Sequence, residues 1–200
     1  MQPKLLLATN NQAKVREYKS LLGNLPYVLV TPSEAGVIIT VDEVGGSLEE
    51  NARLKAEVFA GKSRLLSLAD DSGLEVDTLG GEPGPLSARY AGEGASDRDR
   101  VDFLLSRLKD VPWEERTACF RCVIAIAAPD GEVELCSGEC GGLITLEPRG
   151  EQGFGYDPVF YLPELDKTMG ELPLEKKNRI SHRGQAVRKA RRVLERLRNS

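Results

Sequence analysis

The chain has 200 residues, of which 40% are hydrophobic, and its net charge is −4. This length and apolar content exclude an intrinsically disordered protein, and they suffice for a core without disulfide or metal staples. The longest apolar run, Cys122–Ala128, is too short to cross a membrane, and the N-terminus lacks the apolar stretch of a secretory signal. We therefore expect a soluble, cytoplasmic protein with its four cysteines as thiols.

Charge is unevenly distributed along the chain. Residues 176–200 carry ten Lys or Arg and one Glu, a local charge of +9, which leaves −13 on the first 175 residues. A cationic terminus on an anionic body suits phosphate binding, but it also fits an exposed basic helix face. The same segment keeps open a second hypothesis, a nucleic-acid-binding module.

The first quarter of the chain predicts alternating strands and helices. Lys4–Ala8 is typical of a strand, and it is followed by a polar turn at Thr9–Asn11 and by apolar residues at helical spacing. Tyr27–Thr31 and Val37–Val41 are β-branched runs that predict strands. A capping-box pattern then predicts a helix over Ser47–Leu66.

The next segment predicts a strand, a turn, a loop and a helix. A strand at Ser67–Ala69 leads into a turn at Asp70–Gly73. Gly80–Gly94 is rich in Gly and Pro and predicts a long ordered loop, which in a compact domain tends to be functional. Ser96 and Asp99 form a second capping box.

The second half predicts hairpins and a terminal helix. Thr117–Ala128 is the strongest strand signal, with a partner strand at Val133–Cys136 and a further strand at Gly141–Glu147. Pro148–Asp157 is a Gly-rich loop, and Gly184–Arg198 has the apolar stripe of a helix. Strand–helix alternation followed by hairpins predicts an α/β fold with a mixed sheet.

One candidate binding segment lies at the first strand-to-helix junction and consists of Thr9, Asn10, Asn11, Gln12, Ala13 and Lys14. Helix N-termini attract anions through unpaired amides and the helix dipole, and Lys14 adds a positive charge, so a phosphate would suit this position. The same spacing equally describes an Asn N-cap followed by an exposed lysine.

The adjacent carboxylates of Asp70 and Asp71 form a second candidate site. Neighbouring acids are costly without a positive partner, and Mg²⁺ prefers oxygen ligands of this kind. A further ligand could come from nearby glutamates, namely Glu43, Glu49 and Glu50. The alternative is a plain Asx-type turn with Ser72 and Gly73.

Two later segments could bind a nucleobase. In Gly153–Asp157, two glycines flank an aromatic ring that could stack on a base, while an acid could read its edge; the alternative is that these aromatics pack in the core. Lys177–Gly184 contains the single histidine, His182, and suits recognition of a phosphorylated, electron-rich ligand, although a lone histidine is often structural.

Taken together, these segments resemble the inosine triphosphate pyrophosphatase family, which removes deaminated purine nucleotides. The resemblance runs nearly end to end and rests on six motifs in order, within residues 8–14, 50–56, 69–74, 79–92, 154–158 and 177–184. Two departures are small: Asn10 stands where many relatives have glycine, and Met169-Gly170 replaces a more usual aromatic-Ala pair.

The resemblance implies a single domain over 1–200, an elongated mixed β-sheet flanked by helices, with two lobes around a substrate cleft and usually a homodimer. It implies Mg²⁺-dependent hydrolysis of ITP, dITP or XTP to the monophosphate and pyrophosphate. Nucleic acid and membranes are not expected partners.

The resemblance also implies roles for individual residues. Thr9 to Lys14 and Lys55 would hold the triphosphate. Asp71 would be the general base and a metal ligand, with Glu43 as a second metal carboxylate. The nucleotide pocket would be completed by Ser72, Phe154, Gly155, Tyr156, Asp157, Lys177, His182 and Arg183.

Overall fold

A computed structural model describes residues 2–41 and 46–199. Its strands are β1 (Lys4–Leu7), β2 (Val28–Val30), β3 (Leu66–Val76), β4 (Pro83–Gly84), β5 (Thr117–Ala127), β6 (Val133–Ile144), β7 (Phe160–Leu162) and β8 (Lys167–Thr168). Its helices are α1 (Gln12–Leu22), α2 (Leu48–Ser63), α3 (Asp97–Arg107), α4 (Leu174–Ile180) and α5 (His182–Asn199).

Within the described ranges, the eight strands form one sheet in the order β2-β1-β3-β5-β6-β7-β8, with β4 paired to β3. β1 pairs in parallel with β2 and β3, whereas β4, β7 and β8 join by antiparallel pairing. The predicted α/β fold with a mixed sheet flanked by helices is confirmed.

The chain divides into two compact units. Unit 1 comprises Met1–Asp71, Cys122–Gly138 and Arg183–Ser200, and unit 2 comprises Ser72–Arg121 and Glu139–His182. The single domain with two lobes around a cleft stays a prediction. No described helix is long and apolar enough to span a bilayer, and the four cysteines are free.

The described residues of unit 1 form two hydrophobic cores, because its strands alternate their side chains between two faces. Leu5 and Leu7 of β1 pack in one core with residues of α1 and α5, whereas Leu6 and Ala8 pack in the other with residues of α2. β5 follows the same alternation, with Ile124 in the first core. Helices therefore cover both faces of this part of the sheet.

Unit 2 has one described core built on α3. Leu104 of that helix and Leu108, which follows its last residue, are fully buried and share the core with Leu74 of β3. Phe120 and Phe160 pack there too, with ring centroids 4.4 Å apart. The capping box predicted at the start of α3 is confirmed.

The predicted turn at Asp70–Gly73 is wrong, because β3 runs through it as an eleven-residue strand. Packing, and not a turn, explains why residue 73 is a glycine: a Cβ there would overlap the backbone carbonyl of Gly84 in β4. A glycine inside a strand often allows another backbone to approach closely, and Gly73 allows the approach of β4. Both carboxylates are therefore held by a rigid strand.

Other predicted boundaries also change. Val37–Val41 is irregular, although Val37, Ile39 and Val41 pack on the second core of unit 1. The predicted strand at Gly141–Glu147 is not separate, since β6 continues unbroken to Ile144. α2 ends at Ser63, because Arg64 adopts a left-handed conformation there.

Candidate active site

Asp70 and Asp71 are sequence neighbours on β3, so their side chains leave opposite faces of the sheet. Asp70 contacts residues of α1 and α5, and Asp71 contacts residues of α2. We call the seven residues gathered here the ionic cluster: Lys14, Glu17, Asn51, Lys55, Asp70, Asp71 and Arg183. All belong to unit 1.

Asp70 is held by two cations. Its Oδ2 lies 3.0 Å from Lys14 Nζ and 3.3 Å from the Arg183 guanidinium, which also pairs with Glu17 at 2.7 Å. Burial opposes ionisation of Asp70, but the charges of Lys14, Arg183 and Lys55 outweigh it and hold its pKa well below the usual range. Asp70 is therefore an ionised anchor for Lys14.

Asp71 is oriented by two residues one helical turn apart on α2. Asn51 Nδ2 donates to its Oδ2 at 3.0 Å, and Lys55 Nζ lies 3.3 Å from its Oδ1. Lys55 Nζ also donates to the carbonyl of Asp70 at 2.6 Å. Asp71 is only 5% exposed, so its carboxylate is both fixed and largely shielded from water.

The junction segment adopts the N-cap arrangement. Asn11 Oδ1 accepts hydrogen bonds from the amides of Ala13 and Lys14, at 2.9 and 3.2 Å, and thereby caps α1. Thr9, Asn10, Asn11 and Gln12 are exposed or half-buried ahead of and at the helix start. The first turn of α1 contains no acidic residue, so nothing in it opposes an anion.

A second group, here the Lys177 cluster, consists of Phe154, Asp157 and Lys177 and lies within unit 2. Lys177 Nζ is 2.6 Å from Asp157 Oδ2 and 4.8 Å from the centre of the Phe154 ring, a cation–π distance. Asp157 Oδ2 also accepts from the Phe154 amide at 2.8 Å. Asp157 and Lys177 are both buried, so this pair is desolvated.

The glycine turn, Gly153–Asp157, carries the Phe154 ring. A Cβ at Gly153 would overlap the Asp157 carboxylate, and Gly153 has a positive φ of 78°. Tyr156 donates from its hydroxyl to the Ser87 carbonyl at 2.9 Å. Burial raises the pKa of Tyr156, so the phenol stays protonated as a donor.

The remaining predicted pocket residues are divided between the units. His182, 4% exposed, stacks on Phe120 with ring centroids 4.7 Å apart in unit 2. Arg183, its sequence neighbour, is 2% exposed and belongs to the ionic cluster of unit 1. Ser72 is half-buried in β3. Glu43 lies outside the described residues.

The sequence model of the Ham1 family matches residues 5–193. The chain belongs to the Ham1 family. Among the Ham1 relatives, the dITP/XTP pyrophosphatase of Desulforamulus reducens is 51% identical, covering 97% of this chain and 96% of the relative. That of Geobacter sulfurreducens is 50% identical over 92% of both chains. The resemblance derived from the six motifs is confirmed.

Solved Ham1 structures also match the fold. The HAM1 protein of Coxiella burnetii superposes with a TM-score of 0.88 at 39% identity, covering 97% of this chain and 99% of the other. The Ham1 protein of Staphylococcus aureus superposes with a TM-score of 0.85 at 43% identity, covering 96% of this chain and 98% of the other. The fold described above is therefore that of the family.

Sequence reasoning missed several residues of these clusters in this Ham1 chain. Asn51 shares a face of α2 with Lys55, and Glu17 lies one turn beyond Lys14, so helical spacing could have grouped them. Ser87 and Asp97 touch the glycine turn from distant segments. Nothing in the sequence pattern indicated those two contacts.

Proposed function

We propose that this chain hydrolyses non-standard purine nucleoside triphosphates, namely ITP, dITP and XTP, to the monophosphate and pyrophosphate. The observation that carries the proposal is the fixed Asp71 carboxylate beside Lys55, in a chain half identical to proteins named dITP/XTP pyrophosphatase. Hydrolysis of a phosphoanhydride needs mainly positioning and charge neutralisation, and the ionic cluster offers both.

The triphosphate would bind beside Lys14 and Lys55 of unit 1. Lys14 and Lys55 reach the surface with 16% and 11% of their side chains exposed, so their ammonium groups can meet phosphate oxygens. Each is aligned by an aspartate of β3, which reduces the side-chain entropy lost on binding. Thr9, Asn10, Asn11, Gln12 and Ala13 would contribute hydroxyl, amide and backbone donors at the start of α1.

Asp71 would act as general base and hold Mg²⁺ together with Glu43. Among the described residues no three His, Cys, Asp or Glu group around one point, but Mg²⁺ commonly binds one or two carboxylates together with substrate phosphates and water. The hard carboxylate oxygens of Asp71 fit that preference. Bound Mg²⁺ would neutralise phosphate charge, while Asp71 orients and deprotonates the attacking water.

The purine would bind unit 2. Phe154 offers a ring for stacking, and the Lys177 ammonium, with three N–H donors, suits the 6-keto oxygen of hypoxanthine or xanthine. An adenine amino group offers no acceptor to the buried Lys177 ammonium at that position, which costs binding energy. His182 and Ser72 would support this pocket, whereas Arg183 would act in unit 1 by holding Asp70.

We also propose that the protein forms a homodimer and is located in the cytoplasm. Both stay predictions drawn from the resemblance and the sequence. Light scattering of the purified chain would measure the oligomeric state directly.

A nucleotide panel tests the proposed function. Pyrophosphate and orthophosphate are measured separately with ITP, dITP, XTP, ATP and GTP, with Mg²⁺ and with EDTA. We expect Mg²⁺-dependent pyrophosphate release from the first three at much higher kcat/KM than from the last two. Stoichiometric orthophosphate release, or equal rates with all five, would contradict the proposal.

A further inference from the structure

Asp97 contacts the glycine turn from a distant part of the chain. Its Oδ2 accepts a hydrogen bond from the Gly155 amide at 2.7 Å, across 58 residues of sequence. The two residues lie in the same unit. Asp97 is the first residue of α3, directly after the N-cap Ser96.

The carboxylate of Asp97 is not required to cap its own helix. Ser96 and Asp99 already form a complete capping box, with both reciprocal hydrogen bonds present. Asp97 instead pairs through Oδ1 with Arg100, which also donates to the carbonyls of Ala88 and Ala95 at 3.0 and 2.7 Å. Arg100 thus fixes the Asp97 carboxylate while holding the loop that precedes α3.

Three successive residues of the glycine turn are therefore tied to three different groups. The Phe154 amide donates to Asp157, the Gly155 amide to Asp97, and the Tyr156 hydroxyl to the Ser87 carbonyl. Of these, the Asp97 contact alone joins the turn to α3. Gly155 has a positive φ of 62°, and a Cβ added there would meet no atom within 4 Å, so open space lies on that side of the residue.

We infer that Asp97 is a positioning residue for purine recognition: through the Gly155 amide it fixes the orientation of the Phe154 ring. The inference rests on the proposed function for its kinetic consequence. Because the contact acts on the base and not on the phosphates, its loss weakens substrate binding more than it slows the chemical step.

Asp97→Ser removes the contact, because the serine oxygen lies one bond closer to the backbone than the aspartate oxygens. Serine still suits a position at a helix N-terminus. We expect KM for ITP to rise about fivefold, with kcat within about twofold of the parent. We also expect faster hydrogen exchange at the Gly155 amide. Asp97→Asn retains a carbonyl acceptor and should restore most of the KM and of the exchange protection.

Asp99→Ala is the matched control. It breaks the capping box at the same helix end and lowers thermal stability, but it leaves the Gly155 amide untouched. We expect the parent KM and the parent exchange rate at Gly155. An increase in KM equal to that of Asp97→Ser would show that helix stability alone matters, and it would overturn the inference.

Hydrogen exchange separates this inference from the proposed function. If the parent releases no pyrophosphate from any nucleotide, the proposed function fails, and exchange at Gly155 decides whether the tether exists. Unchanged exchange in folded Asp97→Ser overturns the inference. If that variant does not fold, Asp97→Ala is compared with Asp97→Asn: faster exchange at Gly155 in Asp97→Ala supports the inference, and equal exchange in the two folded proteins overturns it.

Discussion

The ionic cluster of unit 1 and the Lys177 cluster of unit 2 bury charge in different ways. In the ionic cluster, β3 carries two carboxylates to opposite faces, and cations come from three long helices. In the Lys177 cluster, one buried ion pair lies between a short turn and the seven-residue α4. The first is built on regular elements, and the second depends on hydrogen bonds that fix an irregular segment.

Each cluster therefore contributes a different property. A strand and packed helices hold charged groups in place without further support, which suits phosphate and metal chemistry. A turn needs separate tethers but can present a ring face, which suits stacking on a base. We therefore expect mutations in the ionic cluster to affect kcat or stability, and mutations in the Lys177 cluster to affect KM and selectivity.

The largest expected effect is that of Asp71→Asn. The change keeps the shape of the side chain but removes the proposed base, so kcat for ITP should fall about 10³-fold. Circular dichroism should remain that of the parent. Asp102→Asn in α3, where the carboxylate is 62% exposed, is the control and should keep full activity. A near-normal rate in Asp71→Asn would remove Asp71 from the base role.

The neighbouring change, Asp70→Asn, should act on stability. It removes the buried carboxylate that Lys14 and Arg183 share and leaves Arg183 with Glu17 alone, so the free energy of unfolding at pH 7 should fall by about 3 kcal/mol in urea titrations. The pKa of Asp70 is lowered on folding, so its stabilisation is present above the usual aspartate value and is lost as the pH falls through the lowered one.

The pH dependence of stability in the parent and in Asp70→Asn tests whether Asp70 is ionised in the folded state. The difference in unfolding free energy between the parent and Asp70→Asn should shrink progressively below about pH 4. A difference that is constant from neutral to acidic pH would contradict an ionised Asp70 in the folded state.

A smaller effect is expected from Phe154→Ala. Loss of a stacking ring should raise KM for ITP about tenfold with little change in kcat. It should also reduce the ratio of kcat/KM for ITP to that for ATP. Phe103→Ala removes another partly exposed ring, which packs on Tyr90, and serves as the control. A fall in kcat with unchanged KM would contradict the division of roles between the two clusters.

The smallest effect concerns nucleic acid. The basic α5 is partly engaged within unit 1, since Arg191 donates to the Leu21 carbonyl and Arg196 pairs with Glu134. We expect filter binding to single-stranded DNA to be weak at about 50 mM salt and absent at about 200 mM. Tight binding that survives the higher salt would support the nucleic-acid-binding module instead.

The sequence predicted regular elements well where periodicity was strong. The Lys4–Ala8 strand, the helix after Asn11 and the helix capped by Ser96 are all present. It failed at Asp70–Gly73, where turn-forming residues lie in a strand because the sheet and β4 dictate the backbone. β7, β8 and α4 were not predicted, since two- to seven-residue elements carry little periodicity.

Residue types at the candidate site could be predicted, but their contacts could not. Motifs identified Lys14, Lys55 and Asp71, yet the opposite orientation of Asp70 and Asp71 requires knowing that they lie in a strand. The hydrogen bond from Gly155 to Asp97 joins segments that share no pattern. Such long-range polar contacts depend on the tertiary fold.

The most direct test of the central claim is a crystal structure of Asp71→Asn with ITP and Mg²⁺. We expect phosphate oxygens at Lys14 and Lys55, the metal at residue 71, and hypoxanthine stacked on Phe154. A nucleotide bound elsewhere, with residue 71 remote from every phosphorus atom, would contradict it.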